Sequence, residues 1–370
     1  MAHSVIARRR ALVFVFLALS GTPRTVCAQG GFLWQGIVDV EAWKTDSASN
    51  LLARGSGHPS LLGRIDTWAA AEPLRNIVFF AEVLGETGPA RIEAGSEIYF
   101  KRGGVRFSPS DAFTLEGGKI PQVVGTFSSR QLSTRNPLIG TPDGYAATYS
   151  YGARVDGSVG VLDYRGGVES LSLWREGYTP QPGKSLHPAV GLGVTPIASV
   201  RLGASAMRGP YLSDAFSDQQ LKGQSWRTYR QTIIAGDARV SIDYLEVHAE
   251  VARSTYDVPG QSATSNGLQY YVESKYTVMP RLYVAARYER NDYPFIGAFG
   301  PNWVANNSIV SDGEVGGGFR PAASTLVKLT VRKDHRAPNA RPSAPHDAGY
   351  AVALQLSQAF DALELITRGP

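Results

Sequence analysis

Apolar and polar residues alternate one by one through much of the chain, and the clearest runs lie in its second half. Leu268, Tyr270, Val272, Tyr276 and Val278 share one face of an extended segment, while Gln269, Glu273, Lys275 and Thr277 share the other. After only Met279 and Pro280, Leu282, Val284, Ala286 and Tyr288 oppose Arg281, Arg287 and Glu289. Thr325, Val327, Leu329 and Val331 then oppose Lys328, Thr330 and Arg332. A period of two marks a strand with one apolar and one wet face. Carried along the chain, it predicts strands at 32–43, 60–71, 76–84, 96–107, 112–120, 145–155, 161–175, 187–195, 199–208, 226–236, 240–253, 268–278, 281–290, 311–320, 324–334 and 349–360, sixteen in all.

The links between these strands alternate in length. Short ones fall at Glu72 to Arg75, Ser108 to Asp111, Pro196 to Ala198, Met279-Pro280 and Pro321 to Ala323; between them lie links of roughly 12 to 24 residues, rich in Gly, Pro, Ser and Asn. Tight turns on one rim and long loops on the other are the habit of membrane barrels, whereas a soluble sandwich has no reason to sort its loops. The expectation is an all-β chain: one transmembrane, antiparallel, up-and-down β-barrel of about 16 strands, with short periplasmic turns and long external loops. Trp34, Trp43, Trp68, Trp174, Trp226, Tyr283 and Tyr293 lie near strand ends, where an interfacial aromatic girdle would stand.

The amino terminus sets the compartment. Arg8, Arg9 and Arg10 precede an apolar run from Ala11 to Leu19, and Val26-Cys27-Ala28 offers a cleavage site, the order of a secretory signal. Nine apolar residues are too few for a spanning helix, which needs about 20. Lipidation of Cys27 would require Gly, Ala or Ser before it, where Val26 stands. The expected division is a cleaved signal at 1–28, a barrel at 29–360 and a tail at 361–370, with export to the bacterial outer membrane. Removing 1–28 takes away Arg8, Arg9, Arg10 and Arg24 and no acid, so the formal charge falls from +5 to +1. The mature chain therefore lacks the basic excess of a nucleic-acid binder. Cys27 is the sole cysteine, which leaves no disulfide and no thiolate for chemistry. Mean hydropathy is slightly negative, as it is when lipid-facing and lumen-facing residues cancel along every strand.

The last predicted strand, Gly349 to Phe360, alternates and closes on an aromatic residue, and it resembles the terminal strand of a bacterial outer-membrane porin. In that family the closing aromatic is read by the barrel-assembly machinery and is normally the final residue. The resemblance thus implies that Phe360 is the assembly signal, although Asp361 to Pro370 follow it here. Gly117-Gly118-Lys119-Ile120-Pro121 with Gly125 is similar to the Gly-Lys-x-x-x-Pro-x-Gly entry to the inward-folded third loop of the phosphate-selective type, with altered Pro spacing. Gly236 to Arg239 leading into Leu245 to Glu250, and Phe319-Arg320-Pro321 to Lys328-Leu329, resemble a strand pair and the penultimate hairpin of the same group. These likenesses imply a porin: a passive channel for small hydrophilic or anionic solutes, without cofactor, in contact with outer-membrane lipid and lipopolysaccharide, and compatible with a homotrimer.

Enzyme chemistry finds no motif. His-Glu-x-x-His, Gly-x-Ser-x-Gly and Gly-x-x-x-x-Gly-Lys-Ser/Thr are all missing. A rim set of His335, His346 and Asp347 reads as a solvated loop, and Gly103-Gly104, Gly166-Gly167 and Gly316 to Gly318 read as strand bends rather than phosphate loops. No catalytic or metal-binding residue is assigned. The polar strand faces place Arg64, Asp66, Glu82, Arg201, Glu246, His248, Glu250, Glu273, Lys275, Arg287, Glu289, Lys328 and Arg332 toward the lumen. Apart from His248 the signs balance, so the wall itself gives no strong preference. The link from Pro121 to Gly144 carries Arg130 and Arg135 and no acid before Asp143; with Lys119 they form the candidate pore constriction. The alternative places that link outside, its arginines against the anionic sugar layer. Beside the porin stand two further readings, a barrel enzyme acting on lipid and a barrel serving adhesion or support.

Overall fold

A computed structural model describes residues 31–46, 59–89, 94–142, 149–170, 185–214, 216–299, 302–336 and 349–364. The signal segment and Cys27, Trp174, Asp143, His346, Asp347 and tail residues 365–370 lie outside them.

Sixteen antiparallel strands close into one barrel, each paired with its neighbours in sequence. They are β1 (Phe32–Thr45), β2 (Ser60–Leu74), β3 (Ile77–Pro89), β4 (Ala94–Ser110), β5 (Phe113–Pro121), β6 (Tyr149–Val159), β7 (Leu162–Glu169), β8 (His187–Ile197), β9 (Val200–Pro210), β10 (Arg230–Ile242), β11 (Leu245–Tyr256), β12 (Ser265–Met279), β13 (Leu282–Phe299), β14 (Asn302–Ala322), β15 (Thr325–Arg336) and β16 (Gly349–Asp361). The barrel is closed by β1 on β16, from Gln35 opposite Asp361 to Thr45 opposite Ala351.

Seven two-residue turns occupy one rim: Arg75-Asn76, Asp111-Ala112, Gly160-Val161, Ala198-Ser199, Asp243-Tyr244, Pro280-Arg281 and Ala323-Ser324. Asn76, Gly160 and Asp243 take positive φ, a conformation open to Gly and tolerated by Asn and Asp. One of these turns and one long link correct the sequence reading. The turn placed at Asp237 to Arg239 lies instead at Asp243-Tyr244, because Asp237, Ala238 and Arg239 pair with β11 as ordinary strand residues. The long loop expected between 290 and 311 is mostly strand, since β13 and β14 stay paired from Asn291 opposite Val310 to Phe299 opposite Asn302.

The register fixes the tilt. From Val200, pairing leads strand by strand to Lys44 on β1. Twelve residues back along β1 stands Phe32, from which pairing leads to Pro188 on β8, beside Arg208 on β9. Arg208 is eight residues from Val200, so one circuit displaces the chain by twenty residues. Over sixteen strands about 4.8 Å apart, with a rise of about 3.3 Å per residue, that displacement means a tilt of roughly 40°.

The distribution of side chains is inverted relative to a water-soluble domain. Glu116, Glu82 and Arg287 are at most 3% exposed inside, whereas Leu61, Val190, Leu192 and Ile234 exceed 60% exposure outside. The aromatic girdle differs from the expected set. Trp43 and Tyr283 are buried and face inward, as the register also directs Trp68, and Trp226 sits in a short 3-10 turn (Trp226–Thr228) of the β9–β10 loop. Trp34 faces outward, its indole donating to Thr67 Oγ1 at 2.9 Å. Outward rings near the turn rim come instead from Phe79, Phe107, Phe113, Tyr244, Tyr276 and Phe319.

Phe360 faces outward at the closing seam opposite Gly36, and a Cβ on Gly36 would lie 2.4 Å from the Phe360 ring and 2.9 Å from the Asp66 carbonyl. Gly36→Ala should destabilise the barrel by about 1–3 kcal/mol through overpacking. The temperature at which the folded band shifts on a gel measures this, and Phe360→Ala added to Gly36→Ala should restore part of it.

Candidate functional site

After β5 the chain turns into the lumen, where Val123, Val124 and Phe127 are buried. Glu169 of β7 accepts the Val123 N–H. Glu250 of β11 accepts the Thr126 N–H at 3.0 Å, the Thr126 hydroxyl at 2.7 Å and the Tyr271 hydroxyl at 2.6 Å. A short 3-10 turn, Phe127–Arg130, then aims Arg130 at the wall, where it pairs with Glu273 and donates to Tyr271 Oη at 2.8 Å. Burial works against the charge on Arg130, but Tyr271 and Glu273 outweigh it and hold the guanidinium above its ordinary pKa.

The far half of the loop is fastened through its own backbone. The Lys328 ammonium donates to the carbonyls of Ser133, Asn136 and Leu138 at 2.8, 3.2 and 2.9 Å. Arg320 donates to Thr134 O at 2.9 Å, Tyr283 Oη to Pro137 O at 3.1 Å, and Glu314 accepts the Gly140 N–H at 3.0 Å. Leu138 packs with Tyr283, Ala285 and Leu326, and Ile139 with Trp43, Ala351 and Ala353. The loop thus starts at Glu169 of β7 and lies against the wall from β11 round to β1, and of the two placements the sequence allows it takes the inward one.

A second loop also folds inward, which the sequence did not foretell. Tyr211, Leu212, Leu221 and Tyr229 of the β9–β10 connection join Ile296 and Trp303 of the β13–β14 hairpin in one apolar cluster with Val123, Val124 and Phe127. Its polar edges are satisfied: Trp303 Nε1 donates to Gln220 O at 2.6 Å, Tyr229 Oη to Leu221 O at 3.0 Å and Tyr211 Oη to Asp257 O at 2.7 Å.

Between the first loop and the opposite wall lies a cavity of about 470 Å³. Seven arginines line it, Arg102, Arg130, Arg135, Arg154, Arg165, Arg201 and Arg239, together with His248 and a single acid, Asp237. Most of the guanidinium groups are braced from behind. Arg102 pairs with Glu82; Arg154 pairs with Glu116 at 2.9 Å and Asp156 at 3.1 Å; Arg201 holds Asp163 at 2.6 Å and also Asp237. Among the described residues Arg165 has only Asp237, at 3.8 Å. Among the described residues, Arg135 and Arg239 have no carboxylate within ion-pair distance, and Arg135 donates to Ser129 O at 3.3 Å.

The register puts all thirteen wall residues named from the sequence on the inner face, in two different settings. Asp66 and Glu82 share Lys101, Arg64 holds Glu41 and Glu86, and Lys275 holds Glu246. Arg287 links Glu273 to Glu314, and Arg332 links Glu289 to Asp312. Glu250, Glu273 and Lys328 tether the loop, while Arg201 and His248 line the cavity. Lys119 departs from the expected constriction. It lies opposite Gly103 and Tyr151 on the outer face, with its ammonium donating to Phe100 O at 2.7 Å. Sequence reasoning missed Arg102, Arg154, Arg165 and Arg239. Glycines 152, 157, 166 and 167 interrupt the alternation around Arg154 and Arg165, and the misplaced turn removed Arg239 from the wall.

No family model matches the chain, and no curated protein does. Solved structures share its fold. The anion-selective porin from Comamonas acidovorans covers 90% of this chain and 100% of its own, with a TM-score of 0.62 at 11% identity. OmpF of Salmonella typhi, in complex with daunomycin, covers 90% and 97%, with 0.57 at 12%. OmpT, an outer membrane protein of Vibrio cholerae, covers 91% and 100%, with 0.58 at 10%.

Proposed function

We propose that this protein is an outer-membrane porin that admits small hydrophilic solutes by passive diffusion and favours anions. The inverted side-chain distribution supports residence in a bilayer, because an apolar belt of this extent would be unstable in water. The observation that carries the anion preference is the cavity lining, seven arginines against one aspartate. Their bracing acids, such as Glu82 and Glu116, are buried behind them, so a passing ion meets guanidinium edges first. Screening at about 0.1 M salt acts over about 10 Å, so several such charges act together across a narrow passage. An array of exchangeable partners lets the ion enter without trapping it. In this reading no residue is catalytic and no cofactor is needed. Phe360 is the segment read by the assembly machinery, and a homotrimer is an allowed state.

Swelling of vesicles that contain the purified protein tests the proposal. A monovalent sugar acid should enter faster than a neutral sugar of the same size, and an amino sugar should enter more slowly. Equal rates for all three would leave a pore without charge preference, and no swelling would remove the channel.

A further inference from the structure

The outer face is nearly free of charge, and the exceptions form a pattern. In the described strands, the outward-facing Lys, Arg, Asp and Glu residues are Lys44, Lys119, Arg208, Arg230, Arg253, Arg290, Asp292 and Lys333, all toward the loop rim. Below them, the described face down to the turns is apolar or small apart from Gln358, which accepts from Thr325 beside the turn rim.

Five of the cations stand in one row on alternate strands. Arg208 on β9 is level, through Thr232, with Thr255, and Arg253 lies two residues further down β11. Arg253 is level, through Leu268, with Asp292, and Arg290 lies two residues further down β13. Arg290 is level, through Ser311, with His335, and Lys333 lies two residues further down β15. Lys333 is level with Tyr350, which bonds Asp46, and Lys44 lies two residues further down β1. The row thus descends one residue per strand against the barrel's own displacement of twenty over sixteen, and so runs nearly parallel to the rim. Successive members are about 12 Å apart along the row, and Arg230 lies beside Arg208.

All six, Arg230 included, are exposed, and among the described residues none of their side chains is in a hydrogen bond or ion pair. The acids nearby are otherwise engaged. Asp46 accepts the Tyr350 N–H at 3.2 Å, Asp257 accepts the Arg230 N–H at 3.1 Å, and Asp292 has a contact of its own. Tyr270 and Tyr288 pack beside Arg290 with ring centroids 6.2 Å apart.

We infer that this row is a binding surface for phosphate-bearing lipid headgroups of the leaflet at the loop rim. Its height, at the upper edge of the apolar belt, is where headgroup phosphates meet a barrel, and basic residues near an anionic lipid surface each add to the attraction. The inference rests on the barrel lying in a membrane, as proposed above, but not on its being a channel.

The test reconstitutes full-length protein in phosphatidylcholine vesicles doped with bisphosphorylated lipid A and, after detergent extraction, counts the lipid A retained per barrel. Wild type should retain it, and the variant with Lys44, Arg208, Arg253, Arg290 and Lys333 all changed to Gln should retain at least about tenfold less. Lysine at positions 208, 253 and 290 should keep retention. Conductance in neutral bilayers should be the same for all, so failure here is separable from failure of the channel reading. If the fivefold variant does not give the folded band on a gel, Arg253→Gln with Arg290→Gln carries the test. Equal retention by wild type and variant overturns the inference. So does loss of a cross-linked oligomer in the variant with lipid retention unchanged, which would make the row a contact between copies.

Discussion

Changing Arg135 and Arg239 to Glu and Arg165 to Gln should turn the proposed channel from anion-selective to cation-selective. These three are the lining arginines least neutralised by carboxylates, since Arg165 has only Asp237 at 3.8 Å and the other two have none in ion-pair range among the described residues. Together the substitutions shift the lining by five charges while leaving the braced pairs of Arg102, Arg154 and Arg201 intact. Removing Arg154 instead would take the closer of two partners from Glu116, a fully buried carboxylate, leaving it only Arg106 at 3.3 Å, and confuse selectivity with stability. A change of about 1.4 kcal/mol in the entry barrier is tenfold in relative permeability, so the chloride-to-potassium ratio should fall about tenfold or more and cross unity. Reversal potentials of single channels read this directly. A ratio unmoved by the triple change would place the narrowest passage elsewhere.

Lys328→Met should open the proposed pore. Lys328 is 1% exposed and holds three carbonyls of the inward loop, while Met fills similar volume with no donor. Each buried carbonyl left unpaired costs about 1–3 kcal/mol, enough to detach this half of the loop while the barrel wall, paired through its backbone, stays closed. The expected results are a single-channel conductance raised about twofold or more, noisy open states and an unchanged folded band on a gel. Lys328→Arg, which keeps the charge, should stay closer to wild type. Unaltered conductance in Lys328→Met would show that Glu250, Glu273 and Glu314 suffice to hold the loop.

The fold was legible because each strand has a wet and a greasy side. The alternation from Leu268 to Val278 predicted its observed faces residue by residue, and turns marked by Pro or charge, such as Pro280-Arg281, fell within a residue or two. The reading lost its grip where local signals mislead. Gly236-Asp237 looks like a turn, but β10 runs through it to Ile242, because its long pairing with β11 outweighs the local preference for a turn. Trp43 and Tyr283 look like interfacial aromatics, yet each packs under the inward loop, a tertiary contact that no local pattern encodes. The pore was legible only in part for the same reason. Arg130 and Arg135 were visible as cations without neighbouring acids, but Arg130 is spent on Glu273. The lining charge least offset by carboxylates comes from Arg135 of the inward loop together with Arg165 and Arg239, which stand on β7 and β10 and are brought to one cavity only by the folded barrel.

On the function proposed above, an arginine-lined passage through this barrel conducts anions. The reversal potential of the wild-type protein in a planar bilayer, under a gradient of potassium chloride, tests it most directly. Discrete channels are expected, with a reversal potential toward the chloride equilibrium value. A potential toward that of potassium, or a membrane left without conductance by folded protein, would contradict it.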